Sequence, residues 1–292
     1  MRVIATASRR LRRASLSLLP PRQRAALRRL YETTMAPPTG ARAVFTERDG
    51  TVTIQIDGGP DIRIDPACRS AFELHFTSRE AAAEVGHILQ SARCAGVLFD
   101  VGANSGVFSL LYCLAHPQNH AIAFEPSAEL AERIRRLSLL NGVGDRLQVI
   151  AKAVADSTEE RELLLAGRGG FVQVAPFDGT AQNEWRRVTI EATTLDSVLA
   201  AGERPTIVKI DVEGFESEVL RGARTLIASS RPTFFLELHL NYLEQRRISP
   251  VDVIRELTAH GYDLVDLRGH SRTARDIQRS WASVLHLIAR PQ

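Results

Sequence analysis

Val97-Leu98-Phe99-Asp100-Val101-Gly102-Ala103-Asn104-Ser105-Gly106 is the stretch on which the fold reading turns. Its first five residues are apolar apart from Asp100, the pattern of a short strand buried on both faces. Gly102 and Gly106 then let the backbone turn sharply and approach a ligand closely. An apolar helix is expected over residues 105–115.

The same alternation continues toward the C-terminus. A second strand, 121–124, ends at Glu125, and Ser127 can cap a helix running to Leu140. Further strands are expected over 147–154, 206–212 and 233–238, with helices around 216–220 and over 250–260. Strands over 262–267 and 284–289 close the set. Strands alternating with helices predict a doubly wound, mostly parallel α/β sheet of Rossmann-like type. No helix is expected between the last two strands, so they read as an antiparallel edge hairpin with a long loop. Residues 161–190 break the rhythm: 162–165 and 188–190 read as strands around a long loop spanning 167–179.

Toward the N-terminus, short alternating runs at 43–46, 51–56 and 62–64 are separated by Asp49-Gly50 and Gly58-Gly59-Pro60, a small β meander. A helix with Ser78 as N-cap follows over 78–92. The expected organisation is a basic helical arm (1–34), an N-terminal β/α appendage (35–92) and the main domain (93–292).

Composition narrows the function. The chain has 292 residues, 44% of them apolar, enough for a sizeable core. Its net charge of +3 hides an asymmetry. Residues 1–31 hold nine arginines and no acid, while the remainder holds 28 basic against 34 acidic side chains. A mildly acidic body counts against a nucleic-acid partner, because phosphate neutralisation drives most of that affinity. The arm reads as a solvated segment; the alternative is an amphipathic contact with an anionic membrane or a partner. Only Lys152 and Lys209 are lysine, so the arginine abundance says little about any ligand. Cys68, Cys94 and Cys113 have no metal-type spacing and suit a reducing compartment. No apolar run approaches the ~20 residues of a membrane span, and no secretory signal is read, so a cytoplasmic location is expected.

Asp100 and Glu125 stand at the carboxyl ends of adjacent strands, where α/β sheets bind ligands. A carboxylate at Glu125 can accept from both hydroxyls of an adenosine ribose, and the helix N-terminus after Gly106 offers backbone N–H groups. The dinucleotide pattern GxGxxG fails at Asn104 and Val107, and no Walker A motif is present.

Residues 99–106 resemble the first motif of FkbM-type methyltransferases. Ala123-Phe124-Glu125-Pro126-Ser127, Leu140-Asn141-Gly142 and Thr194-Leu195-Asp196-Ser197 are similar to later motifs of the same family. The most specific match is Ile207-Val208-Lys209-Ile210-Asp211-Val212-Glu213-Gly214-Phe215-Glu216, followed by Val219-Leu220-Arg221-Gly222-Ala223. The resemblance spans about residues 96–240. It implies a class I methyltransferase fold, S-adenosylmethionine as cofactor, and O-methylation of a small-molecule or glycan acceptor such as a sugar or polyketide. By the same resemblance Asp100, Gly102 and Asn104 would hold the methionine part, Glu125 the ribose, and Asn141 or the Ala153-Val154 backbone the adenine.

An aliphatic hydroxyl needs a general base to become a good nucleophile. Strand alternation puts Lys209, Asp211 and Glu213 on one side of an extended segment. His239 could accept a proton near neutrality, and Asp211 or Glu213 could do so if burial raised its pKa. Lys209 reads as an ion-pair partner of these acids. No resident metal is expected: Asp211, Glu237 and His239 offer donors, but nothing in their spacing fixes a geometry. Two other readings are an RNA or protein methyltransferase recruited through the arm, and a catalytically silent binding module on the same fold.

Overall fold

The computed structural model describes residues 40–166, 185–280 and 282–292. The expected arm and the 167–179 loop lie outside the described residues.

Strands β1 (Ala43–Arg48), β2 (Thr51–Ile56) and β3 (Ile62–Ile64) form the expected antiparallel meander. Asp49 and Gly50, both at positive φ, make its first tight turn, the conformation such hairpins require. Helix α1 (Arg69–Thr77) and helix α2 (Arg79–Ser91) follow. Ser78 caps α2 as expected, its hydroxyl accepting from the Ala81 N–H at 3.0 Å.

The main sheet is laid down by β4 (Val97–Val101), α3 (Val107–Ala115), β5 (His120–Phe124), α4 (Ala128–Leu140) and β6 (Leu147–Ile150). The chain then leaves the sheet for β7 (Ala153–Val154), the antiparallel pair β8 (Arg161–Ala166) and β9 (Trp185–Ile190), and β10 (Ala192–Thr193), which pairs with β7. It returns through α5 (Leu195–Ala200), β11 (Ile207–Ile210), α6 (Glu216–Arg221), α7 (Arg224–Ser229) and β12 (Thr233–His239). Last come α8 (Leu240–Gln245), α9 (Pro250–Thr258), β13 (Tyr262–Asp266), α10 (Ala274–Gln278) and β14 (Val284–Pro291).

The seven-stranded order is β13-β14-β12-β11-β4-β5-β6. The five strands from β6 to β12 are parallel, and β14 is antiparallel to both its neighbours. This is the class I methyltransferase form of the Rossmann-like fold. The order reverses between β4 and β11, which opens a crevice at their carboxyl ends.

Three details differ from the sequence expectation. The strand expected over 147–154 is two strands, because the chain turns out of the sheet at Lys152 and β7 pairs with β10. The terminal hairpin is present, but its second strand inserts beside β12 and leaves β13 at the edge. A short helix, α10, stands between its strands; Thr273 and Asp276 close it with a reciprocal capping box.

Strand alternation divides the core between the two sheet faces. Phe99, Val101, Phe124, Val208, Ile210 and Leu236 point to one face, with Val219, Leu226, Val253 and Leu257 of the helices over it. Leu98, Ala121, Ala123, Ile207 and Phe235 point to the other. There they pack with Val85 and Ile88 of α2, Val107 and Leu110 of α3, Ile134 of α4, and Val52 and Ile54 of the meander. That second face also holds Asp100, Lys209 and Glu237, so polar residues lie among apolar ones at the strand ends. Asp196 of the Thr-Leu-Asp-Ser motif accepts from the Thr225 and Leu226 N–H groups at 3.0 and 2.8 Å and so braces the start of α7.

Candidate active site

The glycine turn is built by close backbone approach. The Gly102 and Ala103 N–H groups both donate to the Phe124 carbonyl at 3.0 Å, tying the turn to the end of β5. Gly102 has φ +81°, and a Cβ there would lie 1.9 Å from the Asp211 carbonyl oxygen. Only glycine fits. Asn104, at φ 47°, donates its N–H to Glu125 Oε2 at 2.8 Å, and the Ser127 N–H reaches Glu125 Oε1 at 2.8 Å. Burial pushes the Glu125 carboxyl up to about 7, against the pull of these two backbone N–H groups.

Above the turn is a cavity of about 470 Å³, within the usual size of a small-molecule site. Gly102, Asn104, Glu125, Ala153, Val154, Asp211 and Glu213 wall it. All seven are among the site residues expected from the sequence.

Five other expected site residues do not line the cavity. Asp100 is buried beneath the turn, where its Oδ2 accepts from the Ser109 N–H and hydroxyl at 3.1 and 2.6 Å. It braces α3 and does not line the cavity. Gly106 is the left-handed N-cap of α3, packed on Ile134. Asn141 sits at the far end of α4. That helix starts at the carboxyl edge of the sheet and runs back to the opposite edge. There Asn141 Oδ1 accepts from the Arg63 N–H at 2.8 Å, and its Nδ2 donates to the Arg63 and Leu137 carbonyls at 2.7 and 2.8 Å. Its amide ties the meander to α4, away from the adenine end expected of it.

Lys209 is fully buried beneath the floor, on the α2 face of β11. Its ammonium lies 2.9 Å from Glu237, 3.5 Å from Asp211 and 3.7 Å from Glu84, and 4.7 Å from the Phe108 ring centroid. Burial disfavours its charge, but Glu237 and Glu84 outweigh that and hold its pKa well above the ordinary lysine value. Lys209 in turn holds Glu237 well below the usual carboxylate range in spite of burial. Among the described residues, two groups bring donor atoms within 4.8 Å of one another: Glu84, Glu237 and His286, and Asp211, Glu237 and His239. In both, Lys209 already serves as the counter-cation of Glu237.

His239, the fifth, stands behind the cavity wall and is buried. Its Nδ1 meets Glu216 Oε1 at 2.8 Å, while Nε2 faces Glu213 at 3.3 Å and Asp211 at 3.6 Å. Burial opposes its charge, but the Glu216 hydrogen bond, Asp211 and Glu213 raise its pKa to about 10. The three acids around it thus favour the imidazolium over the free base expected from its unperturbed pKa. Glu213 is at the wall itself. Burial pushes its carboxyl up to about 7 against the pull of His239. The extended alternation stops at Ile210. Glu213 at φ 50° and Gly214 at φ 97° form a left-handed turn that carries both Asp211 and Glu213 to the cavity.

Sequence reasoning missed Glu84, Glu216 and the cavity arginines. Glu84 had a legible signal: it lies four residues before Ile88 and next to Val85, on the buried face of α2. Glu216 reads as an ordinary acid opening a helix. Its burial and its histidine partner come from β12, beyond any local pattern. Arg161 and Arg246 line the cavity from β8 and from the end of α8, paired with Asp156 and Glu218.

A sequence profile described as the methyltransferase FkbM domain matches residues 100–264. The hexuronic acid methyltransferase AglP of Haloferax volcanii is 26% identical over 178 residues, 59% of this chain and 65% of that protein. The chain thus spans less than two thirds of that relative's length. Among solved structures, a methyltransferase FkbM from Methylobacillus flagellatus is similar at 15% identity and TM-score 0.42, over 67% of this chain and 43% of that one. A precorrin-6y C5,15-methyltransferase from Geobacter metallireducens is similar at 14% identity and TM-score 0.41, over 74% and 89%. The profile match covers more than half of the chain and takes in the glycine turn, Glu125 and the whole Lys209–Glu216 segment; this chain belongs to the FkbM methyltransferase family.

Proposed function

We propose that the protein transfers the methyl group of S-adenosylmethionine to a hydroxyl oxygen of a sugar or comparable polyhydroxylated small molecule. The observation that carries the reading is Glu125, buried at the end of β5, walling a cavity whose glycine turn admits no side chain at Gly102. The residues present fit that cofactor. Gly102 and Asn104 would receive its methionine part, Glu125 its ribose hydroxyls, and Ala153 and Val154 its adenine. A carboxylate has about four lone-pair sites, so Glu125 keeps acceptor capacity beyond its two backbone bonds. When bound, the cofactor supplies a methyl group already activated on a sulfonium.

The protein's part is then alignment and proton removal. Glu213, at the wall and with a pKa of about 7, takes the proton of the acceptor hydroxyl. The imidazolium of His239 stands 3.3 Å behind it and stabilises the carboxylate that does so. The sugar class of acceptor rests on family membership and on the hexuronic acid named for the Haloferax relative. A cytoplasmic site of action belongs to the same proposal; among the described residues no helix is long and apolar enough to cross a membrane.

Mass spectrometry of nitrophenyl glucoside and nitrophenyl glucuronide, incubated with enzyme and S-adenosylmethionine, tests the reading. One added methyl on an oxygen is expected, and Glu213→Gln should slow transfer about 10²-fold or more. Transfer to neither sugar, or to a nitrogen or carbon acceptor instead, contradicts it.

A further inference from the structure

Glu216 is the most enclosed acid at the site. It has no exposed surface, opens α6, and does not line the cavity. Its Oε1 accepts from the Gly214 N–H at 3.0 Å and meets His239 Nδ1 at 2.8 Å, while its Oε2 has no partner. A buried carboxylate with half its acceptor capacity unused is costly to keep for packing alone. Its two bonds, however, hold both sides of the proton-accepting wall. One fixes the left-handed turn that carries Glu213, and the other fixes the ring that faces Glu213. Gly214 is itself confined, because a Cβ there would lie 2.6 Å from Tyr242 Cβ.

We propose that Glu216 is a positioning residue for methyl transfer, acting through His239 and Gly214 to hold the Glu213 carboxylate at the cavity wall where it receives the acceptor's proton. The inference rests on the hydroxyl-methylating reading above and deepens it.

The direction of the effect follows from the charges around His239. Glu216 faces it from α6, Glu213 and Asp211 from the turn after β11, and Glu237 lies on its own strand near Lys209 and His286; Tyr242 of α8 packs its ring 6.0 Å away. Removing the Glu216 charge lets His239 lose its proton at lower pH. His239 stays charged near neutrality, and Glu216 also raises the Glu213 carboxyl directly, so Glu213 deprotonates at lower pH in the variant. Both groups shift downward, whereas a packing defect that admitted water would relieve the burial opposing the His239 charge and move His239 upward.

Glu216→Gln keeps the shape and removes the charge, with its amide oxygen able to stay as acceptor for the Gly214 N–H and His239. Two readouts are needed. Histidine-ring NMR titration of the cofactor-free protein is expected to show His239 deprotonating about one pH unit or more lower in the variant. The pH profile of kcat, with nitrophenyl glucoside as acceptor, is expected to show its acid limb moving downward, with the KM for S-adenosylmethionine unchanged. Because the ring titration needs no acceptor, it separates failure of this inference from failure of the functional reading. Adding Glu216→Gln to a Glu213→Gln background should cost nothing further, since the group it acts on is already gone. An unchanged His239 titration, an unchanged acid limb, or full additivity of the two substitutions overturns the proposal. If Glu216→Gln fails to fold, His239→Asn provides a second kinetic test: with no imidazolium beside Glu213 its acid limb should move upward, and an unmoved limb overturns the relay.

Discussion

At the scale of single residues the site is organised by where carboxylates are buried and what stands beside them. Glu125, Glu213 and His239 each have a pKa moved by several neighbours, and the movements differ because the partners differ. Glu125 has only backbone N–H groups to offset burial, so its carboxyl sits at about 7. The ribose hydroxyls it is proposed to hold are donors, so they favour the ionised form. Cofactor binding should therefore draw a proton off Glu125 and strengthen as pH rises through about 7. Calorimetric affinities for S-adenosylmethionine between about pH 6 and 8 check this, with a rise of up to about tenfold in wild type and a flat profile in Glu125→Gln. A wild-type affinity that falls with pH over that range would contradict the role given to Glu125.

At the scale of elements, strand and helix direction decides which motifs reach the site. Residues at the carboxyl ends of β4, β5 and β11 were legible in the sequence, because glycine and acid punctuation marks those ends. Asn141 was placed wrongly for the same topological reason that makes Glu125 right: the helix joining them crosses from one sheet edge to the other. Its three hydrogen bonds join β3 to α4 instead. Asn141→Ala should thus leave cofactor affinity unchanged and lower unfolding stability by about 1–2 kcal/mol, read from urea denaturation. A loss of cofactor affinity with stability intact would restore the adenine role. Glu216 was not legible as a site residue and Glu84 was legible only as a buried acid, since each gains its meaning from a partner on a different element. The ring of His239 and the ammonium of Lys209 lie on neighbouring strands whose pairing no local pattern encodes.

At the scale of the whole molecule, the sheet face carrying Lys209 is where the N-terminal helices join the methyltransferase core. Glu84 comes from α2, Glu237 from β12 and Asp211 from the turn after β11, and Lys209 lies between all three. Lys209→Met removes the cation and leaves buried acids uncompensated, so it should cost about 3–5 kcal/mol of stability in urea unfolding. Glu84→Gln should cost much less. Burial and Glu237 push the Glu84 carboxyl well above its ordinary value despite Lys209, so the fold disfavours its charge and glutamine forfeits less there. Equal losses in the two variants would mean that the cluster is held by packing and not by the lysine charge.

The whole account depends on the cavity over the glycine turn being the cofactor site. Calorimetry of S-adenosylmethionine against the folded wild-type chain and Glu125→Ala tests that most directly. The account predicts one-to-one binding by wild type and a loss of roughly tenfold or more in the variant, the effect of removing a buried charged hydrogen-bond partner. Absence of binding by the folded wild type, or equal binding by Glu125→Ala, would contradict it.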